Sequence, residues 1–495
     1  MDYKYTVLTN TTIGAFMSQL DSNIVLIALP TITRDLNATP FDALWVIMGY
    51  ILMTAVTLLM IGRLADIYGK VRLYNTGFAI FTVGSGLCSL SLNGTMLVGF
   101  RLVQGIGAAL IWANNAAILT DAFPATERGR AIGINLVAGI GGSVIGLVLG
   151  GILSASLGWQ SIFWINLPIG AFATYWAYRK LHELGTRRYE KLDLSGNLLF
   201  AIGLSLFLVG ITLGSLVGWT SIEVTLAFVG LVLFGFFLLV ERHVTAPMMD
   251  LTLFKIRPFS AGIFSNFLAS IARGGTFLVL TFYYQGALQY DAFTAGILLI
   301  PFAVAFVTVG PFSGFLSDKY GARGFATLGL LISAVSYFWF AVLPGNVPYN
   351  IIVIPMILGG VGGGMFVAPN ISSIMNSTPV TRRGIASGMS ATLVTTGALL
   401  SLAMAFTVLA TNIPVDILQK IFAGVPVGPV SVTNPHPYLD LFVPPMHIIF
   451  LIMGVLSIVA AVPSVLRGSE QDVMTLTRKM EAEAATPVTT TISND

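Results

Sequence analysis

Along its whole length the chain alternates between mainly apolar runs and short polar connections. Fourteen runs can be placed, near 8–32, 43–65, 72–92, 95–119, 130–154, 161–180, 194–216, 222–241, 259–286, 293–316, 325–343, 350–374, 385–411 and 442–465. Each is close to the roughly 20 residues a helix needs to cross a bilayer. None shows the alternating pattern of a membrane β-strand, so each is predicted to be a helix whose backbone polar groups pair internally. The seventh and eighth runs are divided at Gly218-Trp219-Thr220-Ser221. The expected fold is all-α and polytopic, with fourteen transmembrane helices.

An internal repeat orders the runs. GRLADIYGKVR (62–72) is echoed by GFLSDKYGARG (314–324), and FPATERGRAIG (123–133) by TPVTRRGIASG (378–388). The offsets are 252 and 255 residues, and both echoes fall in connections on the same side. Runs 1–6 therefore pair with runs 9–14, and runs 7–8 form an inserted hairpin, a 6 + 2 + 6 arrangement. The domains expected are an N-terminal six-helix bundle (1–185), a two-helix insertion (186–256), a C-terminal six-helix bundle (257–467) and a disordered tail (468–495) with a short amphipathic helix at 470–485. Two like-oriented bundles suit alternating access, with a site at their interface near mid-membrane. Gly62, Asp66, Gly69 and Arg72, with Arg128 and the echoes Asp318 and Arg383, read as a gate in the connections. There Asp66 and Asp318 would accept hydrogen bonds at helix N-termini or pair with arginines. As solvated loop charges they would instead be worth roughly 0–1 kcal/mol each.

Composition agrees. Hydrophobic residues make up 55% and charged residues 9%, with mean hydropathy +0.86, against roughly 25% charged in soluble domains. Of 25 Lys and Arg, only Arg34 and Lys420 fall outside if the N-terminus is cytoplasmic; Arg101 and Arg273 lie within apolar runs and the rest inside. That bias places both termini in the cytoplasm. So few exposed basic residues make nucleic acid a poor partner. The single cysteine, Cys88, excludes an intrachain disulfide, and the four histidines are dispersed. With no phosphate-binding loop either, neither enzyme chemistry nor a cofactor is expected. The first run has no basic flank or cleavage site and reads as a retained span. The Pro- and Gly-rich stretch 412–441 reads as a long outer loop.

Ionisable residues at bilayer depth are costly and by default functional. Asp21 is the one acid clearly deep in a run, and so the candidate proton-coupling site. Arg101 lies about two turns into the fourth run, and its echo position holds Met356, so the scaffold does not need an arginine there. Arg273, in the ninth run, would contact an anionic substrate, offset Asp21 across a cavity or snorkel into a vestibule. Gln19, Asn23, Trp45, Tyr50, Asn114, Asn115, Asn135, Asn266, Tyr283, Tyr284 and Asn370 are candidates to line a substrate cavity, with bonding between helices the alternative for each.

Several of these stretches resemble the major facilitator superfamily, in particular its fourteen-helix drug:proton antiporter branch. LDSNIVLIALP (20–30), GRLADIYGKVR (62–72), RLVQGIGAA (101–109), GGSVIGLVLGGIL (141–153) and WQSIFWINLP (159–168) carry the resemblance. It implies proton coupling at Asp21, proton transfer linked to Arg101, and close packing and gating at Gly142, Gly146 and Gly150. The branch usually has a proline where this chain has Leu147, so a weaker bend is expected there.

The leading functional expectation is export of hydrophobic or amphiphilic small molecules in exchange for protons, from a monomer among the lipids of the plasma membrane. Proton-coupled transport of a specific neutral or anionic metabolite is the alternative with the same fold. A receptor or scaffold that binds without flux is the third.

Overall fold

The computed structural model describes residues 2–124, 127–184, 193–244, 247–379, 382–425, 436 and 438–468. The tail helix expected at 470–485, residues 185–192 ahead of the eighth run, and residues 426–435 and 437 of the stretch 412–441 lie outside these residues, as does the side chain of Asp66. The chain forms α1 (Tyr3–Asp35), α2 (Pro40–Tyr68), α3 (Lys70–Ser89), α4 (Gly94–Ala122), α5 (Arg128–Leu157), α6 (Ser161–Trp164) and α7 (Asn166–Lys180). Then come α8 (Leu194–Val217), α9 (Ser221–His243), α10 (Arg257–Arg273), α11 (Thr276–Thr281), α12 (Ala292–Tyr320) and α13 (Ala322–Phe340). The last four are α14 (Tyr349–Asn376), α15 (Arg383–Asn412), α16 (Val415–Ala423) and α17 (Leu439–Leu466). Leu251–Lys255 is a 3-10 turn and Phe282–Ala287 a π-helical turn.

Among the described residues twelve helices are long and apolar enough to cross a membrane, which makes this an all-α, multi-pass membrane protein. The predicted third and sixth runs are helical but not among the twelve. The first two turns of α3 carry Lys70, Arg72, Asn75 and Thr76, and α7 has only 15 residues and ends on Arg179 and Lys180. The ninth run is broken after Arg273 by Gly274 and Gly275, so α10, α11 and the π-helical turn share one span, Arg257–Ala287. The stretch 412–441, expected to be a loop, contributes α16. At Leu147, α5 runs through without interruption.

Local sequence marks the helix starts. Thr39 and Asp42 exchange side-chain and backbone hydrogen bonds ahead of α2, with Pro40 as its first residue. Thr220 and Glu223 do the same for α9. Such reciprocal caps satisfy amides that have no partner within the helix.

Helix packing repeats with the sequence. α1 packs on α5, α2 and α3 on α4, and α3 on α7; likewise α10 packs on α15, α12 and α13 on α14, and α13 on α17. The two sets meet where α5 lies on α12 and α15 on α2, and α8 touches both α2 and α15. The echoed glycines adopt one conformation: Gly69 has φ 99° and ψ 138°, Gly321 φ 91° and ψ 144°. A side chain is strained in that region, so Gly321→Ala is expected to cost about 1–3 kcal/mol. Denaturation of the purified variant measures it; an unchanged midpoint would refute the assignment.

The seam between the sets is tight at one end. There a Cβ on Gly151 of α5 would stand 2.5 Å from Phe293 Cα and 2.6 Å from the Ala292 carbonyl, and Gly296 of α12 abuts the Leu147 carbonyl. Gln285, in the π-helical turn, donates to the Ile27 carbonyl of α1 at 3.0 Å. At the opposite end, Gly62 on α2, Gly133 on α5, and Gly384 and Gly388 on α15 have no neighbour within 4 Å of where a side chain would begin.

Candidate functional site

Asp21 lies midway along α1, with no exposed surface. Arg101 of α4 donates through a terminal nitrogen to Asp21 Oδ2 at 2.7 Å. Gln104, one turn further along α4, donates to Asp21 Oδ1 at 2.9 Å, and Asn166, at the start of α7, donates to the same oxygen at 2.8 Å. Ser85 of α3 accepts from both amides, at 3.0 Å from Gln104 and 2.9 Å from Asn166. Arg101 also donates to Gln104 Oε1 at 2.7 Å and, through Nε, to the Val46 carbonyl of α2 at 3.1 Å. Its guanidinium stacks 4.1 Å from the centre of the Tyr50 ring.

Arg101 is 1% exposed, and Gln104, Asn166 and Ser85 are fully enclosed. An ion pair at this depth is held by geometry as much as by charge, because desolvation offsets much of the attraction unless the remaining lone pairs are satisfied. Here three donors from two helices satisfy the carboxylate. The site lies within α1–α4 and α7, not across the seam. Arg273 makes no ion pair with Asp21; it stacks 5.7 Å from the Phe306 ring centre. A proton reaching Asp21 would compete directly with Arg101, and so bear on α1, α4 and α7 together.

Most of the polar candidates bond between or within helices. Trp45 donates to Thr212 of α8 at 3.2 Å, Asn115 to the Thr11 carbonyl at 2.8 Å, and Asn266 to Ser390 of α15 at 3.3 Å. Asn23 donates to Ser143 at 2.8 Å, Asn114 to the Leu110 carbonyl at 2.8 Å and Tyr283 to the Gly345 carbonyl at 2.8 Å. Tyr284 reaches Met356 Sδ at 3.7 Å. Asn370 donates to the Gly262 carbonyl at 3.2 Å and accepts from Arg467, whose guanidinium is pushed down to about 10 by burial. Among the described residues the Asn135 side-chain nitrogen has no partner, and the side chains of Gln19 and Arg273 make no hydrogen bond, the Gln19 carbonyl accepting from Asn23 at 3.0 Å.

The gate residues divide. Gly142, Gly146 and Gly150 lie along α1 at Phe16, Leu20 and Ile24; a Cβ at Gly146 or Gly150 would stand 2.7 Å from a carbonyl of α1. Arg72, Asp318 and Arg383 are exposed, and Arg128 donates to the Phe123 carbonyl at 2.9 Å. The carboxylate at the start of α3 is Glu183, which accepts from the Lys70 amide at 2.6 Å and the Val71 amide at 3.1 Å.

Sequence reading missed Gln104, Asn166, Ser85 and Glu183. Gln104 and Asn166 lie inside the stretches RLVQGIGAA and WQSIFWINLP, and Gln104 shares a helix face with Arg101 three residues away. Nothing in the local pattern around Ser85 or Glu183 marks them.

The Riboflavin transporter RibZ of Clostridioides difficile (strain 630) is 34% identical to this chain over 395 residues, 79% of the chain and 85% of that protein. The Multidrug resistance protein Stp of Mycobacterium tuberculosis (strain CDC 1551 / Oshkosh) is 31% identical over 453 residues, covering 89% and 84%. Among solved structures the POT family transporter PepTSo shares the fold with TM-score 0.67 at 14% identity, over 95% of this chain and 98% of that one. The sequence pattern of the Major Facilitator Superfamily matches residues 11–402 and, a second time, 262–491, in keeping with the internal repeat. With its repeated helical packing and transporter relatives, the chain belongs to the Major Facilitator Superfamily, and is a transporter of small molecules across a membrane rather than an enzyme.

Proposed function

We propose that the protein exports hydrophobic or amphiphilic small molecules in exchange for protons, as a member of the drug:proton antiporter branch. The enclosed Asp21 carboxylate, with its three donors on α4 and α7, carries this reading. Protonating Asp21 removes the charge that pairs with Arg101 of α4 and weakens acceptance from Gln104 and Asn166, so one proton biases how α1, α4 and α7 pack. An ion gradient then supplies the work of alternating access. The similarity to Stp supports the substrate class.

In this reading all fourteen runs span the membrane, α3 and α6–α7 included, as bundles 1–185 and 257–467 joined by the insertion 186–256. The chain acts as a monomer in the plasma membrane with both termini cytoplasmic. The tight end of the seam is then the outer end, and the conformation faces inward. Gln19, Asn135 and Arg273, whose polar groups bond to no other helix, are the first substrate contacts to test. Arg72, Arg128, Asp318 and Arg383, together with Asp66, would close the inner end in the opposite conformation.

Proton-coupled transport of a specific neutral or anionic metabolite is the second reading. Arg273, a cation without a carboxylate partner, favours it, as does the similarity to RibZ. The test is substrate-driven proton movement in proteoliposomes carrying a pH-sensitive dye, across lipophilic cations, neutral compounds and organic anions. Opposed proton and substrate fluxes, lost in Asp21→Asn, are expected. Coupled flux that survives in folded Asp21→Asn protein would sink the assignment. A response confined to one neutral compound or anion, and lost in Arg273→Gln, would favour the second reading.

A further inference from the structure

Two acids outside the Asp21 network leave unpaired oxygens facing the same point. Asp193 precedes α8, and its Oδ1 accepts from the Gly196 amide at 2.9 Å and the Ser195 hydroxyl at 2.7 Å. Glu241 lies in the last turn of α9, and its Oε2 accepts from the Met249 amide at 3.1 Å. Asp193 is 4% exposed and Glu241 3%. Their second oxygens, Oδ2 and Oε1, are buried without a hydrogen-bond partner. A Cβ on Gly196 would collide with Asp193 Oδ2 and stand 3.0 Å from Glu241 Oε1, so both oxygens converge beside the bare Cα of that glycine.

Two carboxylates that share a dry site do not both stay ionised without a compensating positive charge. From α2, Arg63 attracts Glu241 while donating to the Pro247 carbonyl. On α9, Arg242 and His243 are exposed, and in the connector to α10, Asp250 pairs with Arg382 at 3.0 Å. Among the described residues, then, Arg63 is the positive charge that faces the two acids. Two converging oxygens are the ligand set of a proton; a calcium ion takes about six to eight oxygens.

We propose that Asp193 and Glu241 hold one proton between Oδ2 and Oε1, forming a second proton-binding site that is separate from Asp21. One carboxylic acid donates, the other carboxylate accepts, and both orphaned oxygens are satisfied. The shared proton ties the start of α8 to the end of α9, while the other Glu241 oxygen holds the connector to α10 through the Met249 amide. The site stands independently of the transport reading above.

The test is the pH dependence of unfolding of the full chain in lipid nanodiscs. Cys88, the single cysteine, is fully buried, so a thiol-reactive dye reports unfolding. A proton held by the folded pair and released on unfolding makes stability fall as the pH rises from about 4, the ordinary carboxylate range, to the pH at which the folded pair itself loses the proton; within that window the unfolding constant grows about tenfold per pH unit. Glu241→Gln and Asp193→Asn each supply an amide donor in place of the proton and are expected to remove that slope. Asp21→Asn is expected to retain it. Equal slopes in wild type and both pair variants would overturn the proposal. So would stabilisation by sodium or calcium that is lost in the variants, since the pair would then hold a metal ion. Should a pair variant fail to fold, the infrared band of a protonated carboxyl group in the Asp21→Asn protein decides directly. Its presence at neutral pH and loss in alkali support the shared proton, and its absence at neutral pH refutes it.

Discussion

Replacing Arg101 with methionine is expected to cost about 3–5 kcal/mol of stability and to abolish coupled transport. The cost arises because Asp21 is left as a charge with no exposed surface, held by the Gln104 and Asn166 amides alone. Arg101→Lys keeps the charge but loses the Nε bond to the Val46 carbonyl and the planar stack on Tyr50, so it is expected to recover only part of the loss. The deficit in Arg101→Met should shrink as the pH falls, because a protonated Asp21 needs no counter-charge. The double variant Asp21→Asn/Arg101→Met should be more stable than Arg101→Met, since it buries no unpaired ion. Denaturation followed by circular dichroism, alongside proton flux in proteoliposomes, reads both effects. If the single and double variants were equally destabilised, the cost would come from lost packing of the arginine and not from the stranded carboxylate.

A leucine at Gly151 is expected to force α5 and α12 apart at the tight end of the seam. The first carbon of any side chain there would already stand 2.5 Å from Phe293 Cα and 2.6 Å from the Ala292 carbonyl, both backbone atoms with nowhere to rotate. Overpacking of this kind costs about 1–3 kcal/mol, enough to move a conformational equilibrium about five- to 150-fold. Gly133→Leu is the matched control on the same helix, because no atom lies within 4 Å of its Cβ position. Spin labels on the ends of α5 and α12 should report a wider or bimodal separation in Gly151→Leu and an unchanged one in Gly133→Leu. Identical distributions in the two variants would mean that this close approach does not hold the seam shut.

The glycine ladder between α1 and α5 shows how far a one-dimensional pattern reaches. Gly142, Gly146 and Gly150 recur every four residues, which on a helix is one continuous stripe. Such a stripe announces close packing, and the packing is there. It does not announce the partner, which is α1 at Phe16, Leu20 and Ile24. Gly151, one residue further round, abuts a helix of the other repeat at Phe293, and no feature of its neighbours distinguishes it. The polar residues follow the same rule. A mid-span asparagine or tyrosine looks alike in sequence whether it faces water or bonds a neighbouring helix. Asn115, Asn266, Asn370 and Tyr283 turned out to bond helices or connections brought together by the fold.

Sequence alone determined the all-α membrane class and the 252- and 255-residue repeat, with glycines at matching positions of its loops. It also singled out Asp21 and Arg101 as ionisable groups at depth. These follow from local properties: helix length against bilayer thickness, glycine's fit in tight loops and the cost of charge in hydrocarbon. Tertiary structure alone decided that Asp21 and Arg101 meet, that Gln104, Asn166 and Ser85 complete their shell, and that Glu183 takes the start of α3. It also brought Asp193 and Glu241 together. Asp21 bonds residues 80, 83 and 145 positions away. Contacts over such separations depend on which faces of packed helices meet, and periodicity defines a face without naming its partner.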